Sequence, residues 1–141
     1  LLEKQGQGKR VAIVGHFPFV GRLRDIASQL WVIERTPWEG ELPESEAAGV
    51  IPQADVVAIT GSALINHTLE KLLTLCSAHS FTLILGPSTP LSPVLFDYGA
   101  DALSGIVVTD PETVLHYISQ GATFRQMKGK GVRLLTIQKE P

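Results

Sequence analysis

Three apolar runs each end in glycine followed by small or hydroxylated residues: Val11-Ala12-Ile13-Val14-Gly15, Val56-Val57-Ala58-Ile59-Thr60-Gly61-Ser62 and Leu83-Ile84-Leu85-Gly86-Pro87-Ser88. Strands of a parallel sheet are covered on both faces, so they read as unbroken β-branched and aliphatic runs rather than as alternating ones. Glycine at their carboxyl ends lets the chain turn sharply. Ligands of open α/β sheets bind along that edge. The pattern therefore locates a site before it says what the site does.

The segments between these runs supply the helices. A strand over 10–15 precedes a helix over 21–30, with Leu23, Ile26, Ala27 and Leu30 at helical spacing. Residues 31–34 read as a second strand. Residues 36–52 hold three prolines, two glycines and four glutamates, which favours a loop with at most a short helix at 44–48 and suggests one rim of a cleft. Asp55 opens the third strand, and Leu64, Ile65, Leu69, Leu72, Leu73 and Cys76 then form the apolar stripe of one helix, the clearest in the chain.

A fourth strand over 82–85 leads through a proline-bearing turn, residues 88–98, into a short helix with Ser92 as cap and Pro93 at its first position. A fifth strand at 103–108 is followed by a helix from Pro111 to residue 120, N-capped by Asp110. A last strand at 132–137 follows the basic turn Lys128-Gly129-Lys130-Gly131. This alternation implies right-handed crossovers and a Rossmann-like three-layer α/β sandwich, its mostly parallel sheet covered by helices on both faces.

At 141 residues, 44% of them hydrophobic and 18% charged, the chain suits one globular domain over 10–141. Residues 1–9 read as a linker from an N-terminal domain outside this sequence. The net charge of −2 gives no broad basic field, so nucleic acid is not an expected partner. The single cysteine, Cys76, forms no internal disulfide, and a cytoplasmic location is the expectation. No apolar stretch approaches the roughly 20 residues of a bilayer-spanning helix.

Chemistry is sought on the loops after the strands. Gly15 to Gly21 stands where a dinucleotide fold binds pyrophosphate, and Glu34, 19 residues after Gly15, stands near the place of a ribose-binding acid. Against that reading, Phe17, Pro18 and Phe19 fill positions where the backbone would have to approach phosphates. The plainer alternative is an apolar loop packed on the sheet, with Glu34 solvated. Thr60 to Thr68 combines a glycine turn, hydroxyls and a helix start suited to a carboxylate or phosphate, although Ser62 or Asn66 as simple caps, with His67 on an exposed turn, describe it equally. Gly86 to Pro93 presents Ser88, Thr89 and Ser92 on a proline-stiffened backbone, which also describes an ordinary strand-to-helix turn.

His16, Glu34 and His67 come from successive loops at the same edge, and imidazole with carboxylate suits Zn, Fe, Co or Ni. No His-x-x-x-His or Cys-x-x-Cys motif is present. Cys76 reads as core, and His79 and His116 as surface or interhelical residues. Neither Ser62 nor Ser88 lies in Gly-x-Ser-x-Gly, so a hydrolase is not indicated.

Val14-Gly15-His16-Phe17-Pro18, Glu34 followed by Pro37, Asp55 with Thr60-Gly61-Ser62-Ala63-Leu64-Ile65-Asn66, Gly86-Pro87-Ser88-Thr89-Pro90-Leu91-Ser92-Pro93, and Gly105 with Asp110 resemble, in order and over almost the whole chain, the domain family described as "putative heavy-metal chelation". The resemblance implies a Rossmann-like C-terminal domain, a smaller N-terminal domain similar to the capping domain of enolase, and a cleft between them. It implies site positions at Gly15, His16, Phe17, Glu34, Thr60, Gly61, Asn66, Gly86, Pro87, Ser88 and Thr89.

The expected function is binding of a metal complex or small anionic metabolite, with Gly15, Phe17, Thr60, Gly61, Ser62, Asn66, Gly86, Pro87, Ser88 and Thr89 contacting the ligand. His16, Glu34 and His67 are the expected metal contacts, and a transition-metal ion is the cofactor candidate. An enzyme completed by the other domain, or a nucleotide-dependent oxidoreductase or methyltransferase, is the alternative. The N-terminal domain and a second copy of the chain are the candidate protein partners.

Overall fold

The apolar runs become the centre of one seven-stranded sheet. A computed structural model describes residues 1–140. Its elements run α1 (Leu2–Gly6), β1 (Arg10–Val14), α2 (Val20–Ile26), β2 (Gln29–Glu34), β3 (Leu42–Pro43), α3 (Ala47–Val50), β4 (Val56–Thr60), α4 (Ser62–Ile65), α5 (Leu69–Leu75), β5 (Phe81–Leu85), α6 (Val94–Asp97), β6 (Ala102–Val108), α7 (Pro111–Ser119), α8 (Phe124–Met127) and β7 (Val132–Gln138). The spatial order is β3-β2-β1-β4-β5-β6-β7. The first six strands are parallel, and β7 returns antiparallel along β6.

Alternate residues of each strand feed opposite faces of the sheet. On one face Ala12, Val14, Val57, Ile59, Ile84 and Leu103 pack with Leu69, Leu72 and Leu73 of α5 and with Ala47 and Val50 of α3. On the other, Val11, Ile13, Val56, Ala58, Leu83 and Leu85 pack with Leu2 of α1 and Leu23 of α2. The α/β sandwich expected from the sequence is thus present. Among the described residues, no helix is long and apolar enough to cross a membrane.

Several local readings change, among them the loop over 36–52, which contributes the edge strand β3. Residues 2–6, read as part of a linker, are helical, and Leu2 is buried beside the sheet. The first crossover helix ends at Ile26, and Leu30 lies in β2, because pairing with β1 begins at Gln29 opposite Arg10. Pro93 is the cap of α6 rather than its first residue.

The largest change is that the single helix expected over 62–76 is two. Asn66 is the C-cap of α4, and His67 takes a left-handed conformation with φ 56°. The Thr68 N–H donates to the Ala63 carbonyl and the His67 N–H to the Leu64 carbonyl. These are the two bonds of a Schellman ending, with histidine where glycine is usual. The break redirects the chain before α5, leaving Leu64 and Ile65 exposed while Leu69, Leu72 and Leu73 enter the core.

Candidate functional site

Strand order reverses on either side of the β1/β4 pair: β2 and β3 lie to one side, β5 to β7 to the other. Crossovers leaving such a junction in opposite directions open a crevice at its carboxyl edge. Here the crevice is a cleft of about 280 Å³, walled by Gly15 and His16 after β1, Glu34 and Arg35 after β2, Thr60, Ser62 and Asn66 after β4, and Glu44 and Thr68 from flanking segments.

The turn after β4 is set by a close backbone approach. Gly61 has φ −58°, an ordinary helical value, so its conformation does not require glycine. Its surroundings do: a Cβ there would lie 2.5 Å from both the amide nitrogen and the Oγ1 of Thr89 and 2.8 Å from the carbonyl carbon of Ser88. Gly105 on β6 stands on the other side, where a Cβ would lie 2.5 Å from the Thr89 carbonyl oxygen. Thr89, only 5% exposed, is therefore clamped between two glycines, its hydroxyl buried without a hydrogen-bond partner. Ser88 and Thr89 of the Gly86–Thr89 loop, expected to contact ligand, pack closely against Gly61 at the start of α4. Gly86, Pro87, Ser88 and Thr89 are not part of the cleft wall.

Ser62 and Asn66 reach the wall from α4, and the Schellman turn brings Thr68 there as well. The Ser62 N–H donates weakly to Thr60 Oγ1 at 3.4 Å. His67 occupies the turn itself, is exposed, and is absent from the cleft wall. The expected grouping of His16, Glu34 and His67 thus reduces to the first two.

His16 is the most constrained polar side chain of the site. Its Nε2 lies 2.6 Å from Glu41 Oε2, its Nδ1 lies 3.8 Å from Glu34 Oε1, and its ring stacks on Trp38 with centroids 4.0 Å apart and planes 22° from parallel. Glu41 Oε2 also accepts the Trp38 N–H at 2.9 Å, and the Glu41 N–H donates to the Trp38 carbonyl. Residues 38–41 thus form a closed turn, with Gly40 at φ 84°, seated on the imidazole. Burial pushes the Glu41 carboxyl up, but the Trp38 N–H, the His16 hydrogen bond and the His16 and Arg24 charges outweigh it and hold the group below the ordinary carboxylate value. Glu34 faces the cleft from the end of β2, its Oε2 accepting the Arg35 N–H at 2.9 Å.

The two carboxylates approach different nitrogens of His16 and so do not converge on one point. Among the described residues, no group of three or more His, Cys, Asp or Glu side chains is arranged to hold a metal ion. Phe17 lies outside the cleft wall, in an adjoining groove of about 500 Å³ with Arg24 and Trp38. It stacks on Phe19, centroids 5.1 Å apart, and its ring edge lies 3.2 Å from where a Cβ on Gly15 would be. The ring thus fills space directly over the β1 glycine turn.

Glu41, Arg35 and Glu44 belong to the site without having been singled out in the sequence, and Thr68 stands out there only as the end of the 60–68 segment. Glu41 is one of four glutamates in an acidic loop, and no local pattern says which of them folds back 25 residues to His16.

A family profile described as "Putative heavy-metal chelation" matches residues 1–136. The chain belongs to the DUF364 family. An uncharacterized protein of Methanocaldococcus jannaschii is 27% identical over 127 residues, 86% of this chain and 49% of that protein. The crystal structure of a DUF364 protein of unknown function from Desulfitobacterium hafniense superposes with a TM-score of 0.88 at 32% identity, covering 98% of this chain and 55% of the other. That of a DUF364 protein of unknown function from Pyrococcus horikoshii superposes with a TM-score of 0.82 at 22% identity, over 99% and 57%. The present DUF364 chain therefore spans about half the length of the relatives it matches.

Proposed function

We propose that the cleft at the β1/β4 junction binds a divalent transition-metal ion carried in a small chelate, with His16 and Glu34 as the protein's donors. The observation that carries this reading is the His16 Nδ1 to Glu34 Oε1 separation of 3.8 Å at the cleft wall. A tetrahedral ion bound about 2 Å from each of two ligands separates them by roughly 3.3 Å, so only a few tenths of an ångström of closure are needed. Imidazole with carboxylate is a donor pair suited to zinc, cobalt, nickel or iron.

Two protein donors leave coordination positions for oxygen or nitrogen atoms of the chelator, and Thr60, Ser62, Asn66 and Thr68 line the same cleft with neutral hydrogen-bonding groups. Charge favours a metal complex over a bare anion. The wall carries two carboxylates, Glu34 and Glu44, against one guanidinium, Arg35, and the latter lies 3.8 Å from Glu44. A lone anionic metabolite would be repelled by that net negative charge, whereas the net positive complex of a divalent cation with a monoanionic chelator would be attracted. The Phe17 ring over Gly15 weighs against the nucleotide-dependent alternatives, since it takes up room a pyrophosphate needs beside the strand end.

Calorimetric titration of zinc into the 141-residue chain, with and without an equimolar small carboxylate chelator, tests the reading. One site is expected, tighter with the chelator and weakened at least tenfold in His16→Ala and in Glu34→Gln. Equal affinity in wild type and both folded variants refutes it.

A further inference from the structure

Resting on the metal reading of the same cleft, we propose that Glu41 is a positioning residue: it holds His16 as the Nε2–H tautomer and so presents the Nδ1 lone pair toward Glu34 as the nitrogen that ligates the ion. A carboxylate can accept hydrogen bonds but not donate them. The 2.6 Å contact between Glu41 Oε2 and His16 Nε2 therefore requires the ring proton on Nε2. In a neutral ring Nδ1 is then unprotonated. It lies too far from Glu34, at 3.8 Å, for a hydrogen bond, leaving room for an ion between them.

The orienting group is itself held. Glu41 Oε2 takes a second hydrogen bond from the Trp38 N–H, the Glu41 N–H closes the turn onto the Trp38 carbonyl, and the Trp38 indole lies flat against the imidazole. Ring plane, ring rotation and proton position are thus all set by residues 38–41, a segment that supplies no ligand. Arg24 adds positive charge near Glu41, and on the other side the Arg35 N–H steadies Glu34. A metal-bound histidine whose second nitrogen donates to a carboxylate is a recurring arrangement, and loss of the carboxylate weakens metal binding about 10–100-fold.

The test is carried out first on the metal-free 141-residue chain. Nitrogen-15 NMR at alkaline pH, where imidazole is neutral, is expected to show the His16 proton on Nε2, downfield and slow to exchange. That proton signal is lost in Glu41→Ala and retained in Glu41→Gln, whose amide oxygen still accepts. Zinc affinity by competition with a chromophoric chelator then falls 10–100-fold in Glu41→Ala, with partial recovery in Glu41→Gln. A neutral wild-type ring with its proton on Nδ1, or a Glu41→Ala variant with unchanged Nε2–H signal and zinc affinity, overturns the proposal. A wild-type chain that shows the expected tautomer but takes up no zinc overturns the ligating role together with the metal reading, and is distinguished by its intact Glu41-dependent proton signal.

Discussion

Replacing Gly61 by alanine tests whether the site is built on a close backbone approach. The added Cβ would stand 2.5 Å from the Thr89 amide nitrogen and 2.8 Å from the Ser88 carbonyl carbon, both main-chain atoms that cannot swing aside. Its own φ of −58° and ψ of −22° suit alanine, so conformation alone would favour the change by about 0.4–1 kcal/mol through the unfolded state. Overpacking against backbone costs at least the upper part of the usual range, about 3 kcal/mol. The net loss is then about 2–3 kcal/mol, which for a chain of this size lowers Tm by roughly 6–10 °C. Gly49→Ala is the control. That residue lies in α3 with nothing within 4 Å of its would-be Cβ and no positive φ, so only the favourable term applies and a gain of about 0.5–1 kcal/mol is expected. Thermal and denaturant unfolding of the two variants beside wild type reads the difference. A Gly61→Ala protein within 0.5 kcal/mol of wild type, or two variants that shift alike, would refute the clamp.

Other expectations follow from the same geometry. His67→Val forces a β-branched residue into the left-handed turn and should cost about 1–2 kcal/mol, while His67→Gly should leave stability unchanged or raise it; denaturant midpoints check both. Thr89→Val removes a buried hydroxyl that has no partner, so stability should hold or rise by up to about 1 kcal/mol, and a loss larger than that would show that Oγ1 is bonded. The side-chain and backbone hydrogen bonds from Arg10 hold the Asp55 carboxyl at about 2 against a small opposing effect of burial. Because the folded value lies below the unfolded one, near 3.9, this contribution is complete above about pH 5 and is lost progressively as pH falls through about 2. The pair is solvent-exposed, so the amount is under about 1 kcal/mol, read as a shallower acid limb of stability against pH in Asp55→Asn.

Strand ends, sheet class and the cleft's edge were legible because burial on both faces writes itself into unbroken apolar runs such as Val56 to Ile59. The start of α7 was equally plain: Asp110 accepts the Thr113 N–H and Pro111 opens the helix, as the residue types dictate. The broken helix after β4 was not, since Leu64, Ile65, Leu69, Leu72 and Leu73 keep helical spacing through the break and His67 is not a residue that announces a left-handed turn. The clamp on Thr89 and the seat of Glu41 on His16 escaped for another reason. Both are contacts between distant segments, and a lone threonine or one glutamate among several carries no local mark of its partner.

The most direct measurement of the central claim is anomalous diffraction at the zinc edge from crystals of this chain soaked in zinc. A peak between His16 Nδ1 and Glu34 Oε1, absent from His16→Ala crystals treated alike, is the expected result. Zinc peaks only elsewhere on the surface, or none in the cleft at saturating metal, would contradict it.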